Sequence, residues 1–125
     1  MGKVILGKRP ERLPAVVTVV LPDGTAGDIP VVFKYRTRKE FGELVDRVYA
    51  GLGVSNDGTT TLHAALENAV VAKNAEYLGE ILLDWGLDQP FGPDSLEQLA
   101  DELPGAATAI MQKYREIIQE GRLGN

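Results

Sequence analysis

Ala15-Val16-Val17-Thr18-Val19-Val20-Leu21-Pro22-Asp23-Gly24-Thr25 decides how the front of this chain folds. The first seven residues are short, β-branched and apolar on both faces, which suits a strand better than a helix. Pro22-Asp23-Gly24-Thr25 then supplies turn chemistry: proline presets φ, aspartate bonds its own backbone, and glycine tolerates φ > 0. The second arm, Asp28 to Arg36, alternates. Ile29, Val31, Phe33 and Tyr35 share one face, and Pro30, Val32, Lys34 and Arg36 share the other. Pro30 has no N–H for a ladder, so an edge or a strand start is expected there. The result is a hairpin over about residues 13–36 whose apolar face needs a cover, because two strands alone are marginal.

Thr37-Arg38-Lys39-Glu40 has the form of a capping box, in which the Thr hydroxyl accepts a first-turn N–H and the Glu carboxylate reaches back to the cap. Phe41, Leu44, Val45, Val48 and Leu52 follow at helical spacing, so this helix is expected to cover the hairpin and to stop at Gly51 and Gly53. Val54 to Thr59 reads as a loop. From about Thr61 to Trp85 no proline interrupts, and Leu62, Leu66, Ala69, Val70, Tyr77, Ile81 and Leu82 support a long helix. Around Ala72 to Ala75 it is weakly apolar, which allows close packing or a break. Gly86 with Leu87 reads as a left-handed helix stop. Pro93 and Pro104 suit the first positions of two further helices, since a missing N–H costs nothing there. Leu96, Leu99, Ala100 and Leu103 stripe the first of these. Ala107, Ile110, Met111, Tyr114, Ile117 and Ile118 stripe the second, before Gly121 ends it. The expected class is α+β: an N-terminal hairpin and a helical body of about four helices over residues 37–121, in a single domain spanning 1–125.

At 125 residues one core is expected. With 44% hydrophobic and 25% charged residues the composition is that of a folded chain. No cysteine is present, which removes disulfides, thiol chemistry and Cys-based zinc sites and suits a reducing cytoplasm. The apolar run at the start is too short for a signal peptide, and no stretch approaches the ~20 residues of a membrane span. The net charge of −5 conceals a polarity, with Met1 to Lys39 carrying +5 and the remainder −10. An acidic bulk repels a phosphate backbone, so nucleic-acid binding is not expected. Opposite ends of neighbouring copies would attract, as in a head-to-tail ring or spiral.

The residues offer no catalytic constellation. His63 is the only histidine and has Glu67 alone at metal-ligand spacing, a surface contact rather than a metal site. Asn56-Asp57-Gly58 lacks the alternation of a calcium loop. Gly51-Leu52-Gly53 precedes no Lys-Ser/Thr, and no Gly-x-Ser-x-Gly elbow exists. Asp84, Asp88, Asp101 and Glu102 sit at helix ends or exposed faces. No enzyme activity, cofactor or metal is expected.

Three blocks together resemble the tail assembly chaperones of long-tailed phages and prophages. They are Gly7-Lys8-Arg9-Pro10, then Pro30 to Phe41 through the hairpin into the first helix, then Trp85-Gly86-Leu87-Asp88-Gln89-Pro90-Phe91 followed by Leu103-Pro104-Gly105-Ala106-Ala107 and Tyr114. Gly92 departs from the pattern, standing where a Ser or Asp cap is more usual. The resemblance implies a non-catalytic protein of the host cytoplasm that coats the tape measure protein, helps bring tail tube subunits to it, and is absent from the mature virion. It also implies a longer product made by frameshifting, and Leu123-Gly124-Asn125 can be encoded by a slippery heptamer, G GGA AAC. A tail-completion or head–tail connector protein retained in the particle is the alternative.

A tape measure protein has apolar helical faces with no partner before the tube encloses it, so helix-in-groove docking suits the helical body. The candidate contacts are Phe91, Leu96, Leu99, Met111 and Tyr114; the competing reading places all five in the core. Thr37, Glu40, Trp85, Gly86, Pro93 and Pro104 are expected to be structural.

Overall fold

The computed structural model describes residues 5–7, 9–50 and 60–121, with the backbone alone over 60–68. Strands β1 (Arg12–Val20) and β2 (Ala26–Lys34) form the hairpin, paired antiparallel from Arg12 against Lys34 to Val20 against Ala26. The turn closes as its residues require: the Leu21 N–H donates to the Thr25 carbonyl at 2.8 Å, Asp23 accepts from the Thr25 N–H at 3.0 Å, and Gly24 takes φ +90°. Helices α1 (Arg38–Tyr49), α2 (Thr60–Ile81), α3 (Pro93–Glu102) and α4 (Pro104–Glu120) follow. The α+β class is as expected, and the strands end two residues earlier than the hairpin estimate, at Lys34.

The sheet has a third strand that the sequence reading assigned to a helix. α2 runs unbroken through Ala72 but ends at Ile81, and Leu82–Trp85 forms β3, antiparallel to β2 in the order β1-β2-β3. Its ends, Leu82 and Trp85, are buried, and one bulge falls opposite Val32 and Phe33. The open edge of β2 supplies backbone partners that outweigh the apolar spacing of a helix. Gly86 is therefore not a helix stop, and its φ is not positive. Its N–H instead donates to the Pro30 carbonyl at 2.8 Å, and a Cβ there would lie 2.9 Å from the Pro30 ring. Pro30 likewise sits inside a central strand, not at an edge. Its carbonyl accepts from the Gly86 N–H, but with no N–H of its own it cannot return the second bond of that pair, and the β3 ladder ends there.

The cover of the hairpin also differs from expectation. α4 lies against β1 and α2 against β2, while α1 packs chiefly on α2 and α4. Leu44 and Val48 of α1 still reach the shared core, with Phe33, Leu78, Ile81, Ile110 and Tyr114 at its centre. Burial of each such aliphatic or aromatic side chain contributes roughly 1.5–3 kcal/mol.

Helix boundaries follow local chemistry. The capping box at Thr37 is complete: the Glu40 N–H donates to Thr37 Oγ1 at 3.2 Å and the Thr37 N–H to Glu40 Oε1 at 3.0 Å. Pro93 and Pro104 start α3 and α4, and Gly121 closes α4 in the left-handed region at φ 73°, its N–H donating to the Ile117 carbonyl. At the start of α3, Gly92 brings no side-chain cap, and the Ser95 hydroxyl ties back to the Pro90 and Gly92 carbonyls. The proposed stop at Gly51 and Gly53, the loop at 54–59, and the side chains of Leu52, Leu62, His63, Leu66 and Glu67 lie outside the described residues.

Candidate partner interface

Along α2, Ala72, Ala75 and Gly79 recur at helical spacing and form a strip without bulk. That strip lets α3 lie close. A Cβ built on Gly79 would stand 3.4 Å from Leu96 Cδ1, an ordinary contact, so this side of α2 meets α3 with room for no more than a small side chain. The loop between β3 and α3 closes the end of the strip. Trp85 Nε1–H donates to the Gln89 carbonyl at 2.9 Å, and the Trp85 and Phe91 rings meet edge to face at 5.3 Å and 87°. Phe91 is thereby held over the small residues.

The result is an open groove of about 440 Å³ whose floor is Ala72, Ala75, Gly79, Phe91 and Leu96 and whose rim carries Glu76 and Glu97. A second hollow of about 520 Å³ shares Ala72 and Glu97 with it and adds Asp94, Asp101 and Glu102. An apolar trough flanked by carboxylates favours a helix with an apolar stripe and flanking lysines or arginines.

Of the five candidate contacts, the structure brings two to the floor of this groove: Phe91, half-buried, and Leu96, buried. Leu99 is buried on the other side of α3, lining a smaller hollow of about 130 Å³ with Trp85 and Leu103. Met111 is half-buried beside the Tyr49 hydroxyl. Tyr114 is fully buried, its ring 5.1 Å from Phe33 and 5.8 Å from Phe41. Ala72, Ala75 and Gly79 were not among the candidates, although their small-residue spacing was readable.

Behind the groove lies a polar anchor that the sequence reading missed. Arg36 is buried and donates to the Glu80 carbonyl at 2.7 Å, to Glu80 Oε1 at 3.0 Å, and to the Tyr114 hydroxyl at 3.4 Å. The Tyr114 hydroxyl in turn donates to the Lys34 carbonyl at 2.8 Å. Burial pushes the Tyr49, Tyr77 and Tyr114 hydroxyls above the usual tyrosine range. Hydrogen bonds from Arg9 and from the Thr37 backbone hold the Glu40 carboxyl below the usual carboxylate range, and Thr25 does the same for Asp23. None of these shifts moves a proton-transfer group toward neutral pH. Among the described residues no cluster of three or more His, Cys, Asp or Glu side chains is placed to hold a metal ion. No helix among them is long and apolar enough to cross a membrane.

The model of the phage tail assembly chaperone family matches residues 1–125, the whole chain, and the chain belongs to that family. No curated protein and no solved structure matches it.

Proposed function

We propose that this tail assembly chaperone binds helical segments of the tape measure protein in the groove between α2 and α3. The observation that carries the proposal is the apolar floor of Ala72, Ala75, Gly79, Phe91 and Leu96 set between carboxylates. A tape measure helix buries its apolar stripe on that floor, and its basic flanks meet Glu76, Asp94, Glu97 and Asp101. Covered in this way, it cannot aggregate through the same stripe before the tube forms. The tail tube protein is the second partner. Copies associate head to tail through the +5 front and −10 back into a ring or spiral coat, in the host cytoplasm, and leave before the virion is complete. The action is binding, without a chemical step. A minor longer product made by translational frameshifting belongs to the same reading.

The test is co-expression with a tape measure fragment. The fragment is expected to move from pellet to supernatant with the wild-type chain, and to stay in the pellet with Ala72→Glu, a change at an exposed position that leaves the fold intact. Equal solubility with and without the chaperone would refute the proposal. Detection of the chain as a stoichiometric component of purified virions would replace it with a structural role.

A further inference from the structure

Among the described residues no strand pairs with the outer edge of β1, and the parity of that edge can be worked out from two bonds. The Pro30 carbonyl points to β3, since it accepts from the Gly86 N–H. Its cross-strand partner Val16 is therefore a non-hydrogen-bonded position, whose own N–H and C=O point away from β2. The turn agrees, because the Leu21 N–H points inward to the Thr25 carbonyl. Hence Arg12, Pro14, Val16, Thr18 and Val20 turn their main-chain groups to the open edge. At Val20 the start of α4 closes it, with a Cβ on Gly105 falling 3.7 Å from the Val20 carbonyl oxygen. Among the described residues nothing closes the segment from Arg12 to Thr18, with Pro14, Val16 and Thr18 exposed on the outer face. A strand edge of this length and apolarity pairs with another strand unless something blocks it.

We infer that the occupant is a second copy of this chain, paired β1 to β1 antiparallel about a two-fold axis near Ala15. Only this register sets Arg12 opposite Thr18 and Pro14 opposite Val16 in both directions. Every outward N–H, from Arg12, Val16 and Thr18 of each copy, then meets a carbonyl, and Pro14, which has no N–H, contributes its carbonyl alone. A register centred on Val16 would bring Arg12 against the end that α4 closes. Charge selects the same arrangement. No ionic group lies between Leu13 and Pro22 to oppose the pairing. Among the described residues Arg12 has no ion pair, nor does Asp28, whose carboxylate accepts from the Thr18 hydroxyl at 3.0 Å. Pairing Arg12 with Thr18 of the second copy leaves it two strand spacings, about 10 Å between Cα atoms, from Asp28 of that copy. The two side chains together span that distance. The contact is isologous, so each dimer gains the Arg12–Asp28 pair twice.

The inference concerns the edge strand and not the groove, so loss of tape measure binding leaves it standing. Its test is the molar mass of the full chain by sedimentation at micromolar concentration, with circular dichroism to show that each variant is folded. A dimer is expected for the wild type, at concentrations below those at which such dimers join head to tail. Arg12→Glu and Asp28→Arg are each expected to weaken it by about tenfold or more, and the double variant to restore it, because each copy then presents the swapped pair. Asp28→Arg also gives up the Thr18 hydrogen bond, so Val16→Lys, at a residue 56% exposed, supplies a second reading and is expected to be monomeric. A wild-type monomer would overturn the inference and leave the edge to an extended segment of another protein. Folded single variants or a Val16→Lys variant that stay dimeric would overturn it as well, as would a folded double variant that stays monomeric.

Discussion

Arg36, which leaves the hairpin, donates through one guanidinium nitrogen to the Glu80 backbone carbonyl and through the other to the Glu80 carboxylate, across 44 residues of sequence. The pairing fixes the last turn of α2 to the end of β2, and so sets where α2 turns into β3. The Arg36 side chain is 9% exposed and that of Glu80 35%, so one partner is dry and the other is wet. Removal of the dry partner leaves the Glu80 carbonyl and the Tyr114 hydroxyl each short of a donor. Arg36→Ala is expected to cost about 2–4 kcal/mol in urea unfolding. Arg36→Lys should recover less than half of this, because an ammonium cannot span the carbonyl and the carboxylate as the planar fork does. Full recovery by lysine would show that the charge alone matters.

The Thr37 cap gives a second expectation, with a pH dependence attached. Thr37→Ala removes the acceptor of the Glu40 N–H and should cost about 1 kcal/mol. Glu40 accepts from both Arg9 and the Thr37 N–H, and both bonds lower its pKa from the usual 4.5. A carboxyl lowered on folding stabilises the native state above its unfolded value, and this is lost as pH falls through the lower folded value. Stability should therefore drop as pH falls from about 4.5, and Glu40→Gln should flatten that part of the curve. An unchanged acid slope in Glu40→Gln would assign the loss to other carboxylates.

Much of this fold is written in local signals. The turn at Pro22-Asp23-Gly24, the capping box, the two N-terminal prolines and the Gly121 cap each depend on neighbours within four or five residues, and each is where the sequence places it. β3 is different. Leu82 to Trp85 continues the apolar spacing of α2, and only the free edge of β2, some fifty residues earlier, turns it into a strand. The site divides in the same way. Phe91 and Leu96 were legible as apolar anchors, but the groove lies between α2 and α3, a relation between two helices that neither helix encodes alone. Tyr114 shows the converse. Its helical spacing marked it as apolar, yet the hairpin and α1 enclose it from two sides.

Gly86 and Pro30 test the extent to which β3 depends on close approach. Gly86→Ala places a methyl 2.9 Å from a ring that cannot swing aside, so β3 must shift or Pro30 must give. The expected cost is about 1–3 kcal/mol. Pro30→Ala removes the ring, and the double variant should be more stable than the sum of the two single changes predicts, a coupling of about 1 kcal/mol or more. Additivity would show that the strand end relaxes freely.

Trp85 offers a direct report on the groove. It is the only tryptophan, 8% exposed, and its ring sits edge-on against Phe91, which in turn forms part of the groove floor. A helix seated on Ala72 and Ala75 would touch Phe91 without touching the indole, so its arrival should alter Trp85 emission through one intervening ring. Titration with a tape measure peptide that carries an apolar stripe and flanking lysines is expected to give a saturable change, weakened by salt because the rim is acidic. Phe91→Ala should cost about 1–3 kcal/mol, less than a fully buried phenylalanine, and should uncouple emission from binding. Ala72→Glu leaves the Trp85–Phe91 contact alone, so its free spectrum should match the wild type while the titration goes flat. A flat titration with the wild-type chain and a peptide shown by calorimetry to bind would move the interface away from α2 and α3.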